Sequence, residues 1–191
     1  MPAMPTKPAR RLTTEELRDR KPDRETFLAR PRTPIAIVLD SVHGPYNQGA
    51  LFRLADAFAL ERLHFCGDDP LRVWNRRFKK AARGTTAWVP YSSGEVSVDV
   101  VASYRERGYQ VVAAEQAEGS VSMASAELMA PMCLVLGAEM HGVSREVLEL
   151  CDVVVEFPML GMANSLNIAM SAAMLVQAAF QTVALGGPPV G

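Results

Sequence analysis

Short, unbroken apolar runs alternate along this chain with stretches of helical spacing, and that alternation narrows the folds open to it. Ile35-Ala36-Ile37-Val38-Leu39 and Met132-Cys133-Leu134-Val135-Leu136 contain no polar residue. Each therefore needs cover on both faces, as a strand of a parallel sheet does. Leu63-His64-Phe65-Cys66, Ala87-Trp88-Val89 and residues 109–114 and 153–155 read as further strands. Between them, residues 49–60 set Leu51, Leu54, Ala55 and Phe58 on one helical stripe. Residues 98–107 read as a helix closed by Gly108, although the Val-Ser-Val-Asp-Val opening suits a strand equally. Residues 144–150 and 163–185 read as helices. The expectation is an α/β domain with a mostly parallel sheet and helices on both faces.

The 191 residues, 49% of them hydrophobic and 21% charged, suffice for one domain with a real core. Residues 35–185 form that domain. Residues 1–34 form a basic arm broken by six prolines, with 9 Lys/Arg against 5 Asp/Glu. Thr13-Thr14-Glu15-Glu16 marks a short helix in that arm, a hydroxyl cap followed by first-turn acids; a disordered terminus is the competing reading. Residues 186–191 form a tail. Residues 1–84 hold 17 Lys/Arg against 10 Asp/Glu, and residues 85–191 hold 3 against 11. Such an asymmetry fits a polyanionic partner on one face, or a merely uneven surface. No run is apolar and long enough to span a bilayer, and the N-terminus lacks a signal-peptide core, so a cytoplasmic location is expected. Cys66, Cys133 and Cys151 share no metal-ligand spacing and read as small buried thiols. No metal is expected.

Three distant segments put glycine or small polar residues where a strand gives way to a helix. They are Asn47-Gln48-Gly49-Ala50-Leu51-Phe52-Arg53, Gly137-Ala138-Glu139-Met140-His141-Gly142-Val143-Ser144, and Phe157-Pro158-Met159-Leu160-Gly161-Met162-Ala163-Asn164-Ser165-Leu166-Asn167. In open α/β sheets ligands bind at such junctions. Neither the dinucleotide Gly-x-Gly-x-x-Gly nor a Walker-type phosphate loop is present, so a nucleotide-like ligand would be held by another device.

At these residues the chain resembles the SPOUT superfamily, in its SpoU (TrmH-like) branch of RNA 2′-O-ribose methyltransferases. Asn47, Gly49 and Arg53 match the first motif of that branch. Gly137, Glu139, Gly142 and Ser144 match the second, and Pro158, Met159, Gly161, Ser165, Leu166 and Asn167 the third. The resemblance spans about residues 35–181. It implies a deep C-terminal trefoil knot, S-adenosylmethionine as methyl donor with S-adenosylhomocysteine as product, tRNA or rRNA as substrate, and a homodimer. A long apolar last helix is compatible with a dimer, and equally with burial inside one subunit.

The resemblance also suggests roles. Arg53 is assigned to the chemistry. Because a guanidinium stays protonated, gripping a phosphate and offsetting alkoxide charge suits it better than acting as a base. An ion pair with Asp56 is the plainer alternative. Asn47 orients the loop, Arg53 or the ribose, or caps a helix. Glu139 holds an arginine of the partner subunit or faces the sulfonium, or complements a helix dipole. Ser165 and Asn167 bind the donor's carboxylate or the ribose, one of them also capping the last helix. Gly137, Phe157 and Leu166 fall at the adenosine contacts, with Met159 and Gly161 in the same motif. His141 reads as a loop histidine. Apart from the motifs, Arg72, Arg76, Arg77, Lys79, Lys80 and Arg83 form a basic cluster suited to RNA, while the interleaved Trp74 and Phe78, four apart, are expected to face the core. The alternatives to an RNA ribose methyltransferase are a non-catalytic RNA-binding protein of the same fold and a base-directed RNA methyltransferase.

Overall fold

Strand β1 (Thr33–Asp40) runs through the middle of the domain with every residue from Ile35 to Asp40 buried. Its neighbours are β2 (Leu60–Cys66) on one side and β6 (Met132–Gly137) on the other, both parallel to it. The full sheet has seven strands in the order β3-β2-β1-β6-β4-β7-β5, every pairing parallel. Here β3 is Tyr91–Glu95, β4 Gln110–Ala114, β5 Val121–Ser122 and β7 Val153–Glu156. This computed structural model describes residues 10–68 and 71–184. The tail at 186–191 and the first nine residues of the basic arm lie outside the described residues. Two compact units are distinguished, Met1–Pro31 and Arg32–Gly191.

In the first unit, helix α1 (Thr14–Asp19) starts with a reciprocal capping box. The Glu16 amide donates to the Thr13 hydroxyl, and the Glu16 carboxylate accepts from the Thr13 amide. Arg10 also bonds Glu16, and these contacts hold the Glu16 carboxyl down at about 2. A second helix, α2 (Arg24–Ala29), is capped by Asp23, which accepts from the Thr26 amide at 2.8 Å.

In the second unit the two faces of β1 feed different cores. Ile35, Ile37 and Leu39 join Leu51, Phe52, Phe78, Leu175 and Val176 beneath α3 (Pro45–Ala57), α4 (Arg76–Ala82) and α7 (Ile168–Ala184). Ala36 and Val38 join Val100, Val101, Tyr104 and Val147 beneath α5 (Ser97–Glu106) and α6 (Arg145–Leu148). The period of two in a strand thus divides a continuous apolar run between both layers. Phe52 meets Phe65, Phe78 and Tyr91 at ring-centroid distances of 5.0–5.5 Å. Full burial of such a ring contributes about 1.5–3 kcal/mol.

Four local expectations shift. Residues 87–89 are not a strand: Thr85–Ala87 makes a 3₁₀ turn, and β3 begins only after Pro90, whose carbonyl takes the Leu63 amide. The apolar triplet instead buries Val89 while Trp88 donates its ring N–H to Asp56 at 2.6 Å. The helix expected at 144–150 is the single turn of α6. The last helix starts at Ile168 and not at Ala163, because Asn167 caps it. Trp74 does not face the core. Asn75 caps α4, so Trp74 precedes the helix and the spacing of four places only Phe78 inward. α7 buries Ala172, Leu175, Val176 and Ala179 and leaves Met170 and Met174 outward. Cys66 and Cys133 are buried and Cys151 partly so; burial pushes all three thiols up, Cys66 and Cys151 to about 12.

Candidate active site

The three motif segments meet at Asn47. It lies in the first turn of α3, a helix opened by Gly44 as cap and Pro45 at the first position. Asn47 Nδ2 donates to Glu139 Oε1 at 2.6 Å across 92 residues of sequence. Asn47 Oδ1 accepts from Asn167 Nδ2 at 3.1 Å across 120. Asn167 Oδ1 in turn accepts the Ala169 amide at 3.0 Å, capping α7. Carboxylate, amide, amide and helix N-terminus form one continuous chain of hydrogen bonds, and such chains polarise in series. Gly44 leaves room for it, since a Cβ there would stand 3.1 Å from both Asn47 Nδ2 and Glu139 Oε1.

The second motif is a tight loop at the end of β6. Ala138 and Gly142 exchange both backbone bonds, 3.1 and 2.9 Å, so Glu139, Met140 and His141 project as its tip. Gly142 has φ +67°, and a Cβ on Gly137 would lie 2.0 Å from the Gly142 carbonyl carbon. No other residue fits at Gly137 without opening the loop. Two carboxylates at the ends of neighbouring strands, Glu115 just past β4 and Asp40 closing β1, fix its exit: Glu115 accepts the Val143 amide at 2.9 Å, and buried Asp40 accepts the Ser144 amide at 2.8 Å. Asp40 also accepts from the Ser97 hydroxyl at 2.6 Å, so one carboxylate ties α5 to α6.

The third motif follows β7 as a mostly exposed loop, with Leu160 and Met162 almost fully in solvent. The side chain of Gln116 donates to the Asn164 carbonyl at 2.6 Å and draws the loop toward the end of β4. Between the two motif loops, above the level ends of β4, β6 and β7, lies a cavity of about 620 Å³. Ligand sites in enzymes fall in that size range and at that end of parallel strands.

Of the residues singled out from sequence, Gly137, Phe157, Met159 and Leu166 line this cavity, as do Glu139, Ser165 and Asn167. Gly161 stands exposed outside the wall. Asn47 sits behind Glu139 and Asn167. Arg53 is exposed and outside the cavity of its own chain; six residues past Asn47, it lies about 9 Å further along α3. Its suggested partner Asp56 is engaged by Trp88 instead. Arg76, Arg77, Lys79, Lys80 and Arg83 are exposed and Arg72 is half-buried, all on or beside α4 and away from the cavity. α4 rests on α3 at Gly49, where a Cβ would come within 2.5 Å of the Phe78 carbonyl.

The sequence reading does not single out Asp40, Gln48, Glu115 or Gln116. Asp40 and Glu115 directly follow the apolar runs of β1 and β4, the position that marks the other site residues, but no glycine flags them. Glu115 and Glu156 join Glu139 on the cavity wall, which gives it three carboxylates beside the apolar Phe157, Met159, Leu166 and Ile168. A wall of this kind suits a ligand with both an apolar body and a positive centre.

The sequence pattern of the SpoU rRNA Methylase family matches residues 34–177. The tRNA (guanosine(18)-2′-O)-methyltransferase of Escherichia coli (strain K12) is 30% identical over 154 residues, 78% of this chain and 64% of that protein. Its counterpart in Thermus thermophilus is 31% identical over 177 residues, 90% and 81% of the two chains. Among solved structures, the A. aeolicus TrmH/SpoU tRNA modifying enzyme superposes with a TM-score of 0.74 at 25% identity, over 84% of this chain and 81% of that one. The AdoMet-bound rRNA methyltransferase from Sinorhizobium meliloti gives 0.71 at 26%, over 79% and 57%. The chain thus spans just under two thirds of the E. coli relative's length, and the family match at residues 34–177 contains all three motifs. By the match over most of its length, this chain belongs to the SpoU rRNA Methylase family.

Proposed function

We propose that this protein methylates a ribose 2′-hydroxyl in tRNA or rRNA with S-adenosylmethionine as donor. The observation that carries the reading is the Glu139–Asn47–Asn167 chain, which joins the three motifs at one edge of a cavity fit for the donor. The fit rests on the carboxylates and apolar groups of its wall, and on Gly137, where a side chain would open the loop. Gly137, Phe157, Met159 and Leu166 would hold the adenosine, with Glu115 and Glu156 near the positive groups. When bound, the donor supplies an electrophilic methyl group on a sulfonium. A ribose hydroxyl is a weak nucleophile, so the chain must align it and offset charge as its proton leaves to water. Glu139, Ser165 and Asn167 stand at the cavity to align it. Arg53 offsets the charge with its guanidinium and grips the adjoining phosphate.

The same reading includes a homodimer in which each cavity receives the partner's Arg53. Its supports are that Arg53 is exposed outside its own cavity and that α7 turns Met170 and Met174 outward. It also includes a C-terminal trefoil knot. In support, β6 is inserted between β1 and β4, and β7 between β4 and β5, with a motif loop leaving each. A domain of residues 35–185 behind a basic arm, and a cytoplasmic location, complete it; no helix among the described residues is long and apolar enough to cross a membrane.

The test is nucleoside mass spectrometry of total tRNA and rRNA from cells lacking the gene. Loss of one 2′-O-methylnucleoside, restored by the purified protein with donor, is expected, and the restored linkage resists alkali. Restoration of an alkali-labile methylated nucleoside would move the target to a base, and no difference would remove the activity.

A further inference from the structure

One surface at the start of α4 combines an exposed ring, a rigid mount and a run of positive charge. Trp74 is 70% exposed, with Val73 at 38% next to it. Its turn is ordered. The Val73 amide donates to the Leu71 carbonyl at 3.1 Å, and the Asn75 amide to that of Arg72 at 2.9 Å. The Asn75 side chain then accepts the Arg77 amide at 2.8 Å and starts α4. Gln48, 1% exposed, anchors this turn from beneath. Its Oε1 accepts the Arg72 amide at 3.4 Å while its Nε2 donates to the Val42 carbonyl at 3.0 Å. Gln48 directly follows Asn47, so the turn is tethered next to the hub of the active site. Tyr46, on the other side of Asn47, is also 60% exposed.

The charges decide what this surface takes. Arg76, Arg77, Lys79, Lys80 and Arg83 are exposed, and no acid interrupts residues 71–84. On α4, Arg76, Lys79 and Lys80 follow three- and four-residue steps and form one stripe, with Arg83 at the C-cap. A greasy protein partner would have to desolvate that stripe, whereas a polyanion gains by releasing its counterions there. An indole standing free among cations matches one common ligand, an unpaired nucleobase with phosphates on either side. A duplex hides its bases and would use only the cations.

We propose that the turn Leu71–Asn75 is a stacking platform for an unpaired base of the RNA substrate, with Trp74 as the ring and the α4 cations holding the flanking phosphates. This rests on the reading of the protein as an RNA methyltransferase. It adds that the target lies in a loop or single strand, with a neighbouring base docked before the ribose is presented.

The experiment titrates the full chain with a fluorescein-labelled single-stranded RNA 12-mer and with a blunt duplex of the same length. Wild type, Trp74→Ala, Trp74→Phe and the double variant Lys79→Ala/Lys80→Ala are compared by anisotropy at two salt concentrations. The platform predicts that Trp74→Ala weakens single-strand binding about tenfold and leaves duplex binding unchanged, while Trp74→Phe keeps most of the affinity. The double lysine variant should weaken both and flatten their salt dependence. Unchanged single-strand affinity in Trp74→Ala, with the lysine effect intact, would overturn the platform and leave the RNA reading standing. Wild type binding neither RNA would overturn both. A change in sedimentation with Trp74→Ala at unchanged RNA affinity would make the surface a contact between copies and overturn the platform too.

Discussion

At the scale of single residues, the amide of Asn47 faces a carboxylate on one side and a second amide on the other. Its donor end meets Glu139 and its acceptor end meets Asn167. Asn47→Asp keeps the shape and removes only the donor, leaving two carboxylates at hydrogen-bond distance. One must then bind a proton or the pair must part. Single-turnover methylation should fall by about two orders of magnitude, with stability lowered by about 1–3 kcal/mol in urea; a full rate at neutral pH would show that the chain of amides is not needed. Glu115 offers a cleaner separation of position from charge. Glu115→Gln retains one oxygen for the Val143 amide and loses the one that accepts the Gln116 amide, whereas Glu115→Ala leaves both donors without an acceptor. The alanine variant should raise KM for the donor about tenfold, with little change in kcat, and the glutamine variant should lose less. Equal losses in both would point to charge instead. These residues show what was legible in the chain. Asn47, Glu139 and Asn167 stand out because small polar residues next to glycine after a strand are unusual. Their mutual bonds span about a hundred residues and are set by tertiary packing. Glu115 and Gln116 follow their strand without any such marker, and pass for ordinary loop residues.

At the scale of elements, apolar runs identify the strands well and helix edges poorly. β1 and β6 are legible because a parallel strand covered on both faces leaves no polar gap. Trp88 and Val89 mislead because a 3₁₀ turn beneath a core also needs apolar residues, and Trp74 misleads because helical spacing was extended past the cap at Asn75. Helix packing gives a prediction of its own. Gly49 lets α3 meet the backbone of α4, and a Cβ there would also come 2.9 Å from that of Ala81. Gly49→Ala gains helix propensity but must push the helices apart, and overpacking of this kind costs about 1–3 kcal/mol. A lower urea midpoint with weaker RNA binding is expected, because α4 carries the cations; a stabilised variant would contradict the contact. The opposite face holds a pH-sensitive seam. His64, buried, lies 2.9 Å from Glu95 through Nδ1 and 3.0 Å from the Tyr104 hydroxyl through Nε2, contacts that a neutral ring satisfies by donating to the first and accepting from the second. Burial holds its pKa below the ordinary value despite Glu95. Its unfolded form therefore takes up a proton first, and stability falls as pH drops from the ordinary histidine range toward the lower folded value. Urea midpoints between pH 7.5 and 5.5 should fall less in His64→Gln than in wild type. Parallel curves would place the titration elsewhere.

At the scale of the molecule, the charges that the proposed reaction needs are divided between two places. The cavity wall carries acids, while Arg53 and the α4 cations stand outside it on the α3–α4 layer. This separation could not be read from the chain, where Arg53 and Asn47 share one motif; a helix turns them onto different sides. It makes the proposed dimer testable without a structure of the assembly. Arg53→Ala keeps an intact cavity and should bind donor normally but fail to turn over. Leu166→Asp damages the cavity and leaves Arg53 in place. If each cavity uses its own arginine, mixing the two inactive subunits yields nothing. If the arginine crosses between subunits, a mixed dimer holds one complete site, formed by the cavity of the first variant and the arginine of the second. Random pairing at equal amounts makes half the dimers mixed, each with one working site of two, so about a quarter of wild-type activity should return. Co-expression with two tags, purification through both and methylation of bulk tRNA lacking the modification would measure it in isolated mixed dimers, where the expected recovery rises to about half. Absence of recovery in dimers shown to contain both subunits would return Arg53 to its own chain, and would require α3 to move toward the cavity before the ribose can react.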